Sequence, residues 1–217
     1  MPRDAHVAID ADRPRPRRVG ILAFDEMEVL DFAGPYEVFN VAGDLSSPPG
    51  AFHVVTVGVR DDPIGRGGFC VRPDHVLSEA PHLDVLVIPG GAGSRRVMKD
   101  PLALAWVRDR HADAERTLTV CTGALIAASA GLLAGHRATT HHGAYEELAA
   151  IGQGEGGPTG IDVAHGYRVV RSTEKLWTSA GVSAGIDLAL EAVEDLSDRS
   201  LRKAVEAEME WGDGWRT

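Results

Sequence analysis

From residue 19 onward, short apolar and β-branched runs alternate with longer segments of helical spacing. That alternation is the pattern of an α/β fold built on a mainly parallel sheet. Strands are expected over residues 19–24, 51–59, 84–88, 117–120, 138–140, 167–171 and 176–179. Helices are expected over 31–41, 101–112, 122–133, 145–150, 183–196 and 197–210, the last with Ser197 as its N-cap. Residues 65–76, with Gly67 and Gly68, read as a hairpin or an extended excursion, and residues 152–160 carry too much glycine for either helix or strand and read as a loop. No internal repeat interrupts the pattern, so residues 19–217 are expected to form a single domain.

At 217 residues the chain is long enough to bury a core of its own without disulfides or metals. Its net charge of −10 argues against a nucleic-acid partner, because that affinity rests on Lys and Arg neutralising phosphates. The one basic stretch is the Arg/Pro-rich segment of residues 1–18, expected to be a disordered leader; it lacks the apolar block of a signal peptide. The longest apolar run, residues 124–134, is broken by Ser129 and Gly131 and is too short to cross a bilayer, so no membrane partner is expected. Two cysteines, Cys70 and Cys121, without an export signal fit reduced thiols in a cytoplasm.

The sequence around Cys121 carries the chemistry. In Thr119-Val-Cys121-Thr-Gly-Ala124 a β-branched strand stops at the cysteine and a helix starts just after it. Such a nucleophile elbow exposes its central side chain above the sheet, and Gly123 supplies the small neighbour that close backbones require. A helix N-terminus lowers a thiol pKa, and its N–H groups, chiefly that of Thr122, are suited to stabilise developing negative charge. A lone cysteine is commonly a buried small hydrophobe. Position favours function here, because ligands of parallel α/β sheets bind outside the carboxyl ends of the strands, where Cys121, the Gly90-Gly91 pair and Asp31 all fall. Asp31 stands at the start of a helix, where an N-cap and a site carboxylate are both open, and Glu28 and Glu37 compete with it. Cys70 has no partner signal.

These residues lie in motifs that resemble the PfpI branch of the class I glutamine amidotransferase-like superfamily, and within it the isonitrile hydratases. The motifs are Leu30-Asp-Phe-Ala-Gly-Pro35, Ile88-Pro-Gly-Gly91, Val120-Cys-Thr-Gly-Ala124 continuing to Ala130-Gly-Leu-Leu133, Arg137-Ala-Thr-Thr-His141 and Gly181-Val-Ser-Ala-Gly-Ile-Asp187. The resemblance implies a flavodoxin-like three-layer sandwich, a homodimer, and hydration of a small isonitrile to an N-substituted formamide without a metal or cofactor. It makes Cys121 the nucleophile and Asp31 its paired carboxylate, with Gly90, Gly91, Thr122 and His141 as the oxyanion and substrate-binding set. The same motifs occur in the sensory domains of AraC-type regulators, which leaves a stand-alone sensor as the alternative.

Departures from related patterns narrow the reading. Thr122 stands where proteolytic relatives have a histidine after the nucleophile, so a Cys-His protease is not supported. Glyoxal-acting relatives use a glutamate from the first loop, where Glu28 is the nearest candidate and Asp31 the better match to the hydratase pattern. His142-Gly143 replaces the tryptophan that tends to follow the histidine matching His141, which places a difference in the substrate pocket. A zinc site on Cys121, His141 and His142 is disfavoured, because adjacent histidines on a strand point to opposite faces.

Overall fold

The computed structural model describes residues 15–151 and 160–212. Of the expected leader, residues 1–14 lie outside the described residues, as does nearly all of the expected glycine-rich loop. The expected start at residue 19 moves earlier: strand β1 spans Arg17–Ala23, and Arg15 reaches the buried Asp84 through two hydrogen bonds of 2.8 and 2.7 Å.

The central sheet has seven strands. Beside β1 lie β2 (Phe52–Gly58) and, at the edge, β5 (His75–Val76). On its other side β1 pairs with β6 (Val85–Ile88), then follow β7 (Arg116–Val120), β11 (Leu176–Ser179) and β10 (Val169–Arg171). All neighbours run parallel except β10, which is antiparallel to β11. This is the mainly parallel sheet the sequence pattern implied, in the flavodoxin-like form the family resemblance implied. Every residue of β6, Val-Leu-Val-Ile, is buried, as a central parallel strand covered on both faces must be.

Helices cover both faces. On one side α1 (Val29–Leu45), α6 (Ala184–Leu196) and α7 (Arg199–Glu208) pack on one another. On the other, α4 (Gly123–Ser129) meets the short α2 (Ser94–Val97), α3 (Pro101–Asp113) and α5 (Tyr145–Ile151). A small hairpin of β3 (Ile64–Gly65) and β4 (Phe69–Cys70) precedes β5, and β8 (Arg137–Ala138) pairs with β9 (Asp162–Val163) apart from the main sheet.

Several expectations are corrected. Helix α4 ends at Ser129, four residues before the expected end, because the chain enters the left-handed region at Gly131 (φ +83°). Helix α1 begins two residues before Asp31, which therefore lies inside its first turn and is not the N-cap. The N-cap of α7 is Asp198, whose carboxylate accepts from the N–H groups of Ser200 and Leu201; Ser197 instead ends α6. The expected hairpin over 65–76 is split, its second half lying along β2 as β5.

Candidate active site

The elbow is built by backbone that only a tight constraint would hold. Cys121 follows β7 with φ +55°, left-handed geometry that is uncommon outside glycine. Its N–H donates to the Ala180 carbonyl at 3.1 Å and its own carbonyl accepts from the Thr140 hydroxyl at 2.8 Å. Two residues on, a Cβ at Gly123 would stand 2.1 Å from the Ile88 carbonyl oxygen, so the helix can start this close to β6 only with glycine there.

Asp31 reaches the cysteine from the opposite layer. Its side chain is fully buried, Oδ2 accepts from the Gly90 N–H at 3.0 Å, and Oδ1 has no hydrogen-bond partner among the described residues. A Cβ at Gly90 would lie 2.9 Å from Oδ2 and 2.5 Å from the Thr122 nitrogen, so glycine leaves the space in which the carboxyl and the elbow meet. Burial drives the Asp31 pKa up to about 7, against the lowering effect of the Gly90 N–H, the Cys121 thiol and the Val182 N–H. Val182 itself holds φ +53°, a costly conformation for a β-branched residue.

Cys121 is 6% exposed. Burial pushes its thiol up to about 12, the Asp31 charge adds to the rise, and the N–H and hydroxyl of Thr122 pull the other way. The expected lowering by the helix start is therefore present and outweighed: α4 is short, and two neighbouring acids buried together cannot both ionise cheaply. The consequence is a pair that carries one proton, on the thiol, from about pH 7 upward.

The remaining expected residues fall around this pair. Thr122 is buried beside Cys121, and its Oγ1 accepts the Gly91 N–H at 2.9 Å. The Gly91 N–H is thus already used, which corrects its expected part as a free oxyanion donor. His141 lies against Gly181. Its Nδ1 accepts from the Gly143 N–H at 3.1 Å, which leaves the proton of the neutral ring on Nε2. Burial, then His142 and Arg95, lower its pKa, so neutral is the favoured form. The strand geometry expected for His141 and His142 is also corrected: they enter a 3-10 turn, and their ring centroids lie 4.2 Å apart with the planes tilted by 34°. Among the described residues, no group of three or more His, Cys, Asp and Glu side chains forms a metal cluster.

The competing carboxylates are otherwise engaged. Glu28 pairs with Arg66 at 2.7 Å, and Glu37 is exposed on α1. Cys70 is exposed on the β3–β4 hairpin, away from any partner but the Gly68 carbonyl. A shallow cleft lined by Phe24, Asp25, Arg60 and Arg96 contains neither Cys121 nor Asp31, and its Arg60 is paired with Asp25. Sequence reading missed Val182, whose strained backbone stands near Asp31, Thr140 as a support of the elbow and the whole of α2. Val182 and Thr140 had a signal, since they lie in the Gly181–Asp187 and Arg137–His141 motifs.

The model of the DJ-1/PfpI family matches residues 17–195, which include the elbow, Asp31 and the Gly181–Asp187 motif. The chain belongs to this family. It is 34% identical over 195 residues to an isonitrile hydratase of Pseudomonas putida, a match covering 89% of this chain and 78% of that protein. It is 28% identical to the HTH-type transcriptional regulator GbdR of Pseudomonas aeruginosa, of whose length it spans 49%. A solved THiJ/PfpI family protein from Pseudomonas syringae superposes with a TM-score of 0.80 at 27% identity, covering 99% of this chain and 86% of that one.

Proposed function

We propose that this DJ-1/PfpI member hydrates a small isonitrile to an N-substituted formamide, with Cys121 as nucleophile and Asp31 as the group that moves the proton. The observation that carries the reading is the burial of Asp31 beside Cys121 at the elbow, with the carboxyl held by the Gly90 N–H. An isonitrile asks for that inventory: its terminal carbon must receive both a nucleophile and a proton. In the first step the Cys121 S–H bond breaks, sulfur bonds to the terminal carbon, and Asp31 relays the thiol proton to that same carbon, leaving a thioimidate R–N=CH–S.

Water then adds across the C=N bond. Asp31 accepts a proton from the water as its oxygen bonds to carbon and passes that proton to the nitrogen, which leaves the carboxylate free for the next step. Collapse of the resulting adduct breaks the C–S bond, forms the formyl C=O, and returns the hydroxyl proton to sulfur through Asp31. Atoms balance as isonitrile plus water giving formamide. The Thr122 N–H and hydroxyl meet the negative charge that sulfur carries in passing. Gly90, Gly91 and His141 are assigned to the walls of the substrate space, and the homodimer implied by the resemblance is part of the same reading.

The kinship to a regulator such as GbdR, shared along 88% of this chain, supports one second reading, a ligand-binding domain without turnover. The two are separated by incubating the purified protein with an aromatic isonitrile and following formamide by absorbance and mass, beside Cys121→Ala and Asp31→Asn proteins. Turnover by the native chain with loss of at least about a hundredfold in both variants supports the hydratase; binding without turnover overturns it in favour of the sensor.

A further inference from the structure

Three consecutive residues after β8 are each fastened to a different part of the molecule. The Thr139 N–H donates to Thr178 Oγ1 of β11 at 2.9 Å, and the Thr139 hydroxyl donates to the Ala164 carbonyl at 2.9 Å. The Thr140 hydroxyl, fully buried, lies 2.8 Å from the Cys121 carbonyl. A carbonyl only accepts, so the single Thr140 proton is committed to it. The His141 ring lies against Gly181, where a Cβ would stand 2.3 Å from its Cδ2. Ala180, the residue before Gly181, accepts the Cys121 N–H at 3.1 Å. These contacts close a ring that runs from Cys121 to Ala180, from Gly181 to His141, and back through Thr140 to Cys121.

The ring holds a residue in a conformation it would not keep alone. Left-handed backbone at a non-glycine residue, here Cys121 at φ +55°, persists only where its surroundings over-determine it. The Cys121 carbonyl takes the Thr140 hydroxyl on one lone pair and the Ala124 N–H, at 3.3 Å, on the other. The Thr140 bond is the shorter of the two and the one made by a side chain. We infer that Thr140 is a positioning residue, whose hydroxyl pins Cys121 in its left-handed turn and fixes the spacing between the nucleophile and His141 across the substrate space. The inference rests on the reading of Cys121 as the reactive group, and Thr140 itself never meets substrate.

Thr140→Val keeps the shape of the side chain but exchanges the hydroxyl for a methyl group, which approaches an oxygen no closer than about 3.3 Å. The buried carbonyl loses its shorter bond, enough to raise local opening of the elbow about tenfold. In a Cys70→Ser background, where Cys121 is the remaining thiol, iodoacetamide alkylation at pH 8 is expected to quicken about tenfold, because a thiol 6% exposed reacts through that opening. Amide hydrogen exchange quickens by a similar factor in residues 119–124 and 139–143 and keeps its native rate elsewhere. For an aromatic isonitrile, kcat falls about tenfold, as a shift of about half an ångström at the nucleophile implies, while KM stays within about twofold. Thr140→Ser, which keeps the hydroxyl, behaves as the native protein in every measurement. Thr140→Ala, which removes the hydroxyl without the added methyl group, follows Thr140→Val.

Thermal unfolding run alongside separates the hold on the elbow from general stability. A merely structural Thr140 lowers the midpoint and leaves alkylation, exchange and kcat of the folded protein at their native values. Native alkylation and exchange in Thr140→Val and Thr140→Ala overturn the inference whatever the midpoint does. So does native kcat in those variants, or a Thr140→Ser protein that behaves as Thr140→Val does. A protein whose alkylation and exchange respond as expected, yet which never hydrates an isonitrile, loses the functional reading and keeps this one.

Discussion

Two acids of ordinary strength in water, a carboxyl and a thiol, become a one-proton pair because the three layers bury them against each other. The form with the thiol protonated and Asp31 ionised is populated above about pH 7 and lost toward about 12. The profile of kcat/KM for an isonitrile is accordingly expected to rise through about pH 7 to a plateau; a profile flat from pH 5 to 9 would contradict the pair. The same burial has a cost in stability. The folded Asp31 pKa lies above its unfolded value of 3.8, so the folded state binds the proton more tightly and stability falls as pH rises from about 4 through about 7. Asp31→Asn keeps the shape and removes the buried charge, and in chemical denaturation at pH 8 it is expected to be more stable than the native protein by about 2–4 kcal/mol. The advantage should vanish toward pH 4, while activity is lost at both. Cys121 and Asp31 were legible as residues from their motifs. The direction of the thiol pKa was not, because the sequence displays the helix start that lowers it and hides the burial that raises it.

At the level of elements, the site exists where β6 and β7 end side by side and α4 springs from the second of them. Gly123 permits this approach. Replacing it with alanine puts a methyl group 2.1 Å from the Ile88 carbonyl, where backbone and not a flexible side chain must give way. Gly123→Ala is expected to lower unfolding stability by about 2–4 kcal/mol and to reduce Cys121 alkylation and turnover together; an alanine variant of native stability would show that the elbow is looser than drawn. The elbow itself was readable in Thr119–Ala124, since a β-branched run, a cysteine and a glycine announce strand, turn and helix in order. The caps were less so. Ser197 and Asp198 are both good N-cap types, and only the backbone, extended at Asp198, decides between them. The end of α4 was masked by small apolar residues that continue its pattern past Gly131, and α2, four residues long, has no period to detect.

On the scale of the whole molecule, the α/β alternation from residue 19 predicted the parallel sheet and its covering helices. It could not give the strand order β10-β11-β7-β6-β1-β2-β5, nor the pairing of the two-residue strands β8 and β9, because these depend on contacts far apart along the chain. Among the described residues, no helix is long and apolar enough to cross a membrane. The sheet brings Asp31 from α1, Gly90 from the end of β6, Cys121 from the end of β7 and Val182 from the turn before α6 to one place, and the reaction assigned to them passes through a covalent bond to sulfur. That bond can be weighed. Native protein mixed with an aromatic isonitrile and quenched in acid within a single turnover should gain the mass of one isonitrile, located at Cys121 and absent from Cys121→Ala. Formamide released by Cys121→Ala at the native rate, with no adduct on the native chain, would contradict the account.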